Sequence, residues 1–247
     1  MTEHDVGVSK RIQENGENSA LLDASDRFLQ ASIDAQYSYN FTWLGRPIIQ
    51  YPQDIVAMQE LLWRVQPDLV IETGIAHGGS LLLSASLLEL NAACGGPTDS
   101  VVVGIDIELR PHNREAIESH PLAPRIRTIN GSSTDPSVVD QVSAMAGRDA
   151  RVLVCLDSLH THGHVLAELE AYAGMVTLGS YCIVFDTVIE RLPVGKFPDR
   201  PWEVGDNPMT AVDEFLDGHP EFVVDERIDR QLMVSASPRG YLRRINV

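Results

Sequence analysis

From Pro67 onward the chain repeats one pattern: a short apolar run, a polar tip, then a stretch with helical spacing. The runs are Leu69 to Ile71, Val101 to Ile105, Arg125 to Ile129, Val152 to Leu156 and Tyr181 to Phe185. Each is rich in β-branched residues and too short for a helix, as strands of a parallel sheet are when crossover helices cover both faces. The spacing predicts the intervening helices over Ser80 to Leu90, Arg114 to Ser119, Pro136 to Ala146 and Gly163 to Val176. A further helix follows from Met209 to Asp217. Glu221 to Val224 and Gln231 to Ala236 then read as two more strands, close enough in sequence to form an antiparallel pair. The pattern is that of an α/β fold.

Before Pro67 the periodicity is helical. Apolar residues recur between Leu21 and Tyr39, and a second helix is predicted from Asp54 to Val65 after the loop containing Gly45, Pro47 and Pro52. Residues 1 to 20 are polar without periodicity and are expected to be a frayed or partner-ordered arm. The expected division is an arm over 1–20, a helical cap over 21–66, and the main domain over 67–247, with cap and main domain forming one globular unit. Between Asp186 and the helix at Met209 lies VIERLPVGKFPDRPWEVGDNP, too rich in proline and charge for regular structure. It is longer than ordinary connections, as lids over active sites are.

Composition narrows the partners. The chain has 247 residues, 44% of them hydrophobic, enough for one sizeable core. Against 19 Lys and Arg stand 35 Asp and Glu, and the formal charge of -16 repels nucleic acid and anionic membrane. Cys94, Cys155 and Cys182 are few and odd in number, and the last two sit in apolar runs where free buried thiols are usual. The N-terminus has no apolar signal core, and no run approaches the ~18 apolar residues of a membrane span. A cytoplasmic protein acting on a small molecule is expected.

In open α/β sheets ligands bind outside the carboxyl ends of the strands, so the residues there are the first candidates. The first strand ends in IETGIAHGGS, where Glu72 precedes Gly74, Gly78 and Ser80. This is not the G-x-G-x-x-G turn that seats a pyrophosphate on a helix N-terminus. An acid followed by glycines instead suits a ligand with a cationic amino-acid end, such as S-adenosylmethionine; the alternative is a glycine turn needed only for positive φ. The second strand ends at Asp106, placed either to accept hydrogen bonds from ribose hydroxyls or to face a helix N-terminus. After the third, Gly131, Ser132 and Ser133 either border an adenine or cap the next helix.

The fourth and fifth strands end in LDSLHTHGHV and VFD. Neighbouring strands would place Asp157 and Asp186 about 4.8 Å apart. Two such carboxylates share a proton or hold a hard cation, and an oxygen-lined site open to substrate suits Mg²⁺. His160 would then be positioned to take a proton from a bound hydroxyl, unless Asp157 and His160 serve only as a helix cap and a buried histidine. His162 and His164 are expected on the first helical turn as solvated residues. The H-T-H spacing resembles the H-x-H of zinc hydrolases, but His164 follows a glycine and no aspartate occupies the next positions.

The run YNFTWLGRPIIQYPQDIVAMQELLWRVQPDLVIETGIAHGGSLLLSASLLEL, with LDSLHTHGHVLAELEAYAGMV and GSYCIVFDT, resembles the cephalosporin hydroxylase and rhamnosyl O-methyltransferase family over about residues 37 to 247. The resemblance implies a Rossmann-like class I methyltransferase: a seven-stranded, mostly parallel sheet with the last strand antiparallel. It also implies S-adenosylmethionine and often Mg²⁺ as cofactors, O-methylation of a small natural product or sugar, and a homo-oligomer. On that basis Glu72, Thr73, Gly74, Gly78 and Ser80 form the methionine-side loop, Asp106 is the ribose carboxylate, and Ser132, Ser133 and Asp157 complete the cofactor contacts. Asp157 and Asp186 match metal ligands, and His160, with Asp157, the catalytic pair. One position departs: some relatives have two consecutive acids at the end of the fifth strand, and here Phe185 takes the first place, leaving water or substrate oxygens to complete an octahedron. The same constellation is also compatible with a metal-dependent hydrolase or lyase, or with a noncatalytic nucleotide-binding partner of a hydroxylase.

Overall fold

A computed structural model describes residues 2–147 and 149–246. The chain opens with helices α1 (Glu3–Glu17) and α2 (Ser19–Asp34), a hairpin of β1 (Phe41–Trp43) and β2 (Arg46–Ile48), and α3 (Pro52–Val65). Then come β3 (Leu69–Thr73), α4 (Gly79–Ala93), β4 (Val101–Asp106), α5 (Pro111–Glu118), β5 (Ile126–Asn130), α6 (Pro136–Met145), β6 (Val152–Leu156), α7 (His162–Tyr172) and β7 (Tyr181–Val184). The chain closes with α8 (Pro208–Gly218), β8 (Phe222–Val224), α9 (Glu226–Leu232) and β9 (Tyr241–Arg244).

The large sheet has seven strands in the order β5-β4-β3-β6-β7-β9-β8. β3 to β7 pair in parallel, and β9 runs antiparallel to both β7 and β8. This is the architecture expected from the sequence, with chain order reversing between β3 and β6. Alternation along each strand divides the core. Val70, Leu153 and Cys155 face one layer with Leu61, Leu62, Leu81 and Leu82 of α3 and α4, while Leu69, Ile71, Val154 and Leu156 face Leu169, Tyr172, Val212 and Phe215 of α7 and α8. Every residue of β3 and β6 is buried, which is why these strands read as unbroken apolar runs.

Two expectations are corrected. Residues 3–17 are helical rather than frayed: Thr2 and Asp5 form a reciprocal capping box, and α1 lies against α9, where Arg227 donates to the Ser9 hydroxyl at 3.0 Å. That contact is polar, so it leaves little apolar periodicity. Gln231 to Ala236 is not a strand. Ile228 and Leu232, four residues apart, are buried on one face of α9, and Met233 ends that helix at φ 61°. Ser235 and Ala236 then turn inward to Asp54, which is wholly buried and accepts from the Ser235 hydroxyl (2.6 Å), the Ala236 N–H (2.9 Å) and the Tyr241 hydroxyl (2.8 Å). The last strand is therefore β9, and Asp54 fastens the N-terminal cap to it. Among the described residues no helix is long and apolar enough to cross a membrane.

Candidate active site

The glycine-rich loop after β3 lies at the sheet's switch point, where the carboxyl ends of β3 and β6 adjoin. Gly74 has φ 85°, and a Cβ there would lie 2.0 Å from the Asp157 carbonyl oxygen, so only glycine lets the two strand ends approach this closely. The Asp157 N–H in turn donates to the Thr73 carbonyl at 3.0 Å. Gly78, at φ 83°, caps α4, and the Ser80 hydroxyl in its first turn donates to Glu72. Glu72 is only 3% exposed. Burial pushes its carboxyl up to about 7, against the opposing hydrogen bonds of Ser80 and Ser84.

Asp106 braces this loop. One of its oxygens accepts from the N–H groups of Ile75 (2.9 Å) and Ala76 (3.3 Å), and the other from Glu108 N–H at 2.8 Å. Neither Ser132 nor Ser133 caps α6, a role taken by Asp135, which accepts from Ser137 N–H. Ser133 instead contacts His164, at 3.2 Å.

Asp157, His160 and Asp186 converge as expected, each offering a ligand atom within 4.8 Å of the other two. His160 Nε2 lies 3.3 Å from Asp186 Oδ2. Asp186 adopts φ 57°, ψ 21°, a left-handed conformation that aspartate tolerates better than most residues and that turns the chain sharply after β7. Burial, then the nearby charges of Asp186, Glu72 and Glu168, push the Asp157 carboxyl well above the usual carboxylate range. A cation would reverse that shift, and two hard carboxylates beside one imidazole are a donor set that a divalent ion fits. Phe185 is 4% exposed and packs into the core, so no acid directly precedes Asp186 in the chain to add a further ligand.

The segment after β7 encloses, among its own residues, a cavity of about 220 Å³ lined by residues that include Leu192, Phe197, Arg200, Trp202 and Asp206, and it touches the cluster through Trp202. The Trp202 ring stands edge-on to His160 with centroids 6.1 Å apart. Glu190 ties the segment's far end by accepting from Gly205 N–H at 2.8 Å and from the Asn207 amide. Asp206 accepts from His162 N–H at 2.7 Å, and Lys196 pairs with Asp34 of α2. Tyr51 is buried with its hydroxyl 2.7 Å from Ser32 Oγ.

His162 and His164 are on the first turn of α7 as expected, but they are half-buried and paired rather than freely solvated. His162 bridges to α8, with Nδ1 2.9 Å from Thr210 Oγ1 and Nε2 3.1 Å from Glu214. His164 Nε2 lies 3.0 Å from Ser158 Oγ and 3.4 Å from Glu168, which is fully buried and accepts from Ser158 Oγ at 2.6 Å. Ser158 and Glu168 are residues the sequence reading missed. For Glu168 the signal was present: an acid four residues after His164 in the apolar helix HVLAELEAY.

Residues 35–245 match the family model described as Rhamnosyl O-methyltransferase/CmcI. The chain is 28% identical over 206 residues to a rhamnosyl O-methyltransferase of Mycobacterium tuberculosis, covering 82% of this chain and 78% of that one. It is 30% identical over 167 residues to a rhamnosyl O-methyltransferase of Mycobacterium leprae, covering 66% and 67%. Among solved structures, CmcI with Mg and SAM aligns at a TM-score of 0.56 and 20% identity over 84% of this chain and 78% of that chain. An O-methyltransferase from Bacillus cereus in complex with SAH aligns at 0.51 and 14% identity over 83% and 82%. These two likenesses are of fold.

Proposed function

The chain belongs to the Rhamnosyl O-methyltransferase/CmcI family and is an S-adenosylmethionine-dependent O-methyltransferase; from that premise we propose that it methylates a hydroxyl of a small natural product or sugar, with His160 as general base. The observation that carries this reading is the convergence of Asp157, His160 and Asp186 at the carboxyl ends of β6 and β7, with Trp202 of the following loop against His160.

S-adenosylmethionine supplies an electrophilic methyl group, so this chain's residues have mainly to align the acceptor and move one proton. Mg²⁺, held by Asp157 and Asp186, would supply Lewis acidity that lowers the pKa of the acceptor hydroxyl. His160 takes the proton. Asp186, 3.3 Å from His160 Nε2, orients the imidazole and stabilises it once charged. Glu72 and Ser80 receive the amino-acid end of the cofactor, Gly74 and Gly78 hold the tight turn between them by packing against Asp157 and Ile117, and the Thr73 carbonyl anchors Asp157. Asp106 keeps the glycine-rich loop open and retains lone pairs for ribose hydroxyls, while Ser132 and Ser133 border the adenine side. The loop from Val188 to Asn207 closes over the acceptor, and Trp202 excludes water from the His160 side. Residues 21–66 and 67–247 act as one unit, since Asp54 joins them. The free Cys94, Cys155 and Cys182 fit a reducing, cytoplasmic setting.

The test is methyl transfer from labelled S-adenosylmethionine to a panel of glycosyl and aglycone hydroxyls, with calorimetry alongside. His160→Ala should lower kcat by about 10² to 10⁴ while leaving cofactor affinity unchanged. Undiminished turnover would remove His160 from the mechanism, and no cofactor binding at millimolar concentration would overturn the methyltransferase reading.

A further inference from the structure

The N-terminal cap enters the glycine-rich loop more deeply than a cover would. A Cβ on Gly79 would lie 2.2 Å from the Pro47 carbonyl oxygen, so β2 passes directly over the start of α4. The hairpin is bolted there: the Arg46 guanidinium donates to the His77 carbonyl (3.0 Å) and to Asn113 Oδ1 (2.6 Å), and the Trp43 indole donates to Ser86 Oγ at 3.0 Å. Gln50, two residues past the end of β2, is thereby delivered to a narrow cavity that it shares with Glu72, Ser80, Ser84 and Asp157.

Gln50 is 4% exposed, and its Oε1 is buried with no hydrogen-bond partner among the described residues. Buried amide oxygens are normally satisfied, and leaving one unpaired costs stability unless a ligand supplies the donor. The donors nearby are already committed, because the Ser80 hydroxyl is turned to Glu72. Met58, Leu83, Cys155 and Phe185 close the apolar side of the cavity, and its polar side brings together the Gln50 amide and the carboxyls of Glu72 and Asp157. Such a recess selects a positively charged group carrying several N–H donors. A primary ammonium, with three donors and no acceptor, meets that description.

We infer that Gln50 is a cofactor-recognition residue whose side-chain oxygen accepts a hydrogen bond from the primary ammonium at the amino-acid end of S-adenosylmethionine, beside Glu72. This rests on the cofactor reading above and adds to it that the cap, and not the sheet alone, recognises the cofactor. Asp54 and Arg46 then have a functional consequence, since they hold the segment that carries Gln50.

The experiment is calorimetric titration of wild type, Gln50→Leu and Gln50→Met with S-adenosylhomocysteine and with its deaminated analogue, in which hydrogen replaces the ammonium. S-adenosylhomocysteine lacks the sulfonium charge, so the pair isolates the ammonium. Both variants should bind S-adenosylhomocysteine about ten- to a hundred-fold more weakly than wild type, and the deaminated analogue with wild-type affinity. Unchanged affinity for both ligands, or an equal loss for both, would overturn the assignment. Circular dichroism and Tm check folding. Should neither variant fold, selective ¹⁵N-glutamine labelling of wild type decides: the Gln50 amide resonance should shift with S-adenosylhomocysteine and not with the analogue, and the absence of that difference would overturn the proposal. A wild type that binds neither ligand would instead bring down the cofactor reading, and this inference with it.

Discussion

Replacing Glu72 by Gln should make the protein more stable and less able to hold its cofactor. Glu72 is 3% exposed, and its carboxyl is raised by burial from the ordinary 4.5 to about 7. At about 1.4 kcal/mol per pKa unit, a shift of that size corresponds to roughly 3 kcal/mol. The sign follows from the raised folded value. Below pH 4.5 the group is protonated whether the chain is folded or not, and its contribution to stability is fully present. As pH rises toward 7 the unfolded chain ionises first, and that contribution is lost. Glu72→Gln is neutral throughout and still offers an oxygen to the Ser80 hydroxyl, so the variant should match wild type near pH 4.5 and exceed it by about 2 kcal/mol at pH 8, allowing for an imperfectly seated amide. In thermal melts of the cofactor-free protein that is a Tm higher by roughly 4–8 °C at pH 8. Its affinity for S-adenosylmethionine should fall about ten- to a hundred-fold, because a charge-assisted hydrogen bond is lost. Other titrating groups are common to both proteins, so the difference between their melting curves isolates Glu72. The reasoning is refuted if the Tm difference is the same at pH 5 and pH 8, or if the variant is the less stable protein at both.

Gly74→Ala should destabilise the fold by about 3 kcal/mol or more in urea titrations, because the new Cβ would lie 2.0 Å from the Asp157 carbonyl oxygen at a positive φ. Glu190→Ala removes the acceptor for Gly205 N–H and the Asn207 amide, so the KM for the methyl acceptor should rise with cofactor affinity unchanged; an equal rise in cofactor Kd would show that the loop after β7 is not acceptor-specific. Mg²⁺ at about a hundred times its Kd should stabilise the wild type by about 2.7 kcal/mol, an effect absent from Asp157→Asn/Asp186→Asn, and EDTA should reverse it together with activity. A wild-type Tm insensitive to millimolar Mg²⁺ would exclude the cation.

The sheet was legible in the sequence because β3 and β6 are buried on both faces and so cannot alternate. The acids at the strand ends were legible for a related reason: Asp157 and Asp186 follow apolar runs, where a carboxylate has a chemical rather than a packing role. What escaped was structure held by polar partners distant in sequence. α1 is stapled by Arg227 and Arg230, more than two hundred residues away, and residues 235–236 are drawn from the sheet by Asp54. Gln50 escaped because nothing in IIQYPQD marks its oxygen as unpaired; that follows only once Gly79 lets β2 close over α4.

The three alternate histidines show why spacing misleads here. His160, His162 and His164 would share a face only on an extended strand, and the chain is extended only as far as Thr161, at φ -79° and ψ 147°, before α7 begins. His160 therefore stays in the crevice with Asp186, His162 opens the helix and turns to Glu214 of α8, and His164 swings to Ser133, Ser158 and Glu168. Among the described residues the one cluster of three candidate ligands contains His160 and neither of the other two, which removes the H-x-H zinc reading. The third has its own consequence: Ser158 directly follows Asp157, and Ser133 lies after β5, so His164 and Glu168 join the loop after β6 to the loop after β5. A shift in either loop has to break a half-buried hydrogen bond to Ser158 or His164, and that cost keeps the two loops in register.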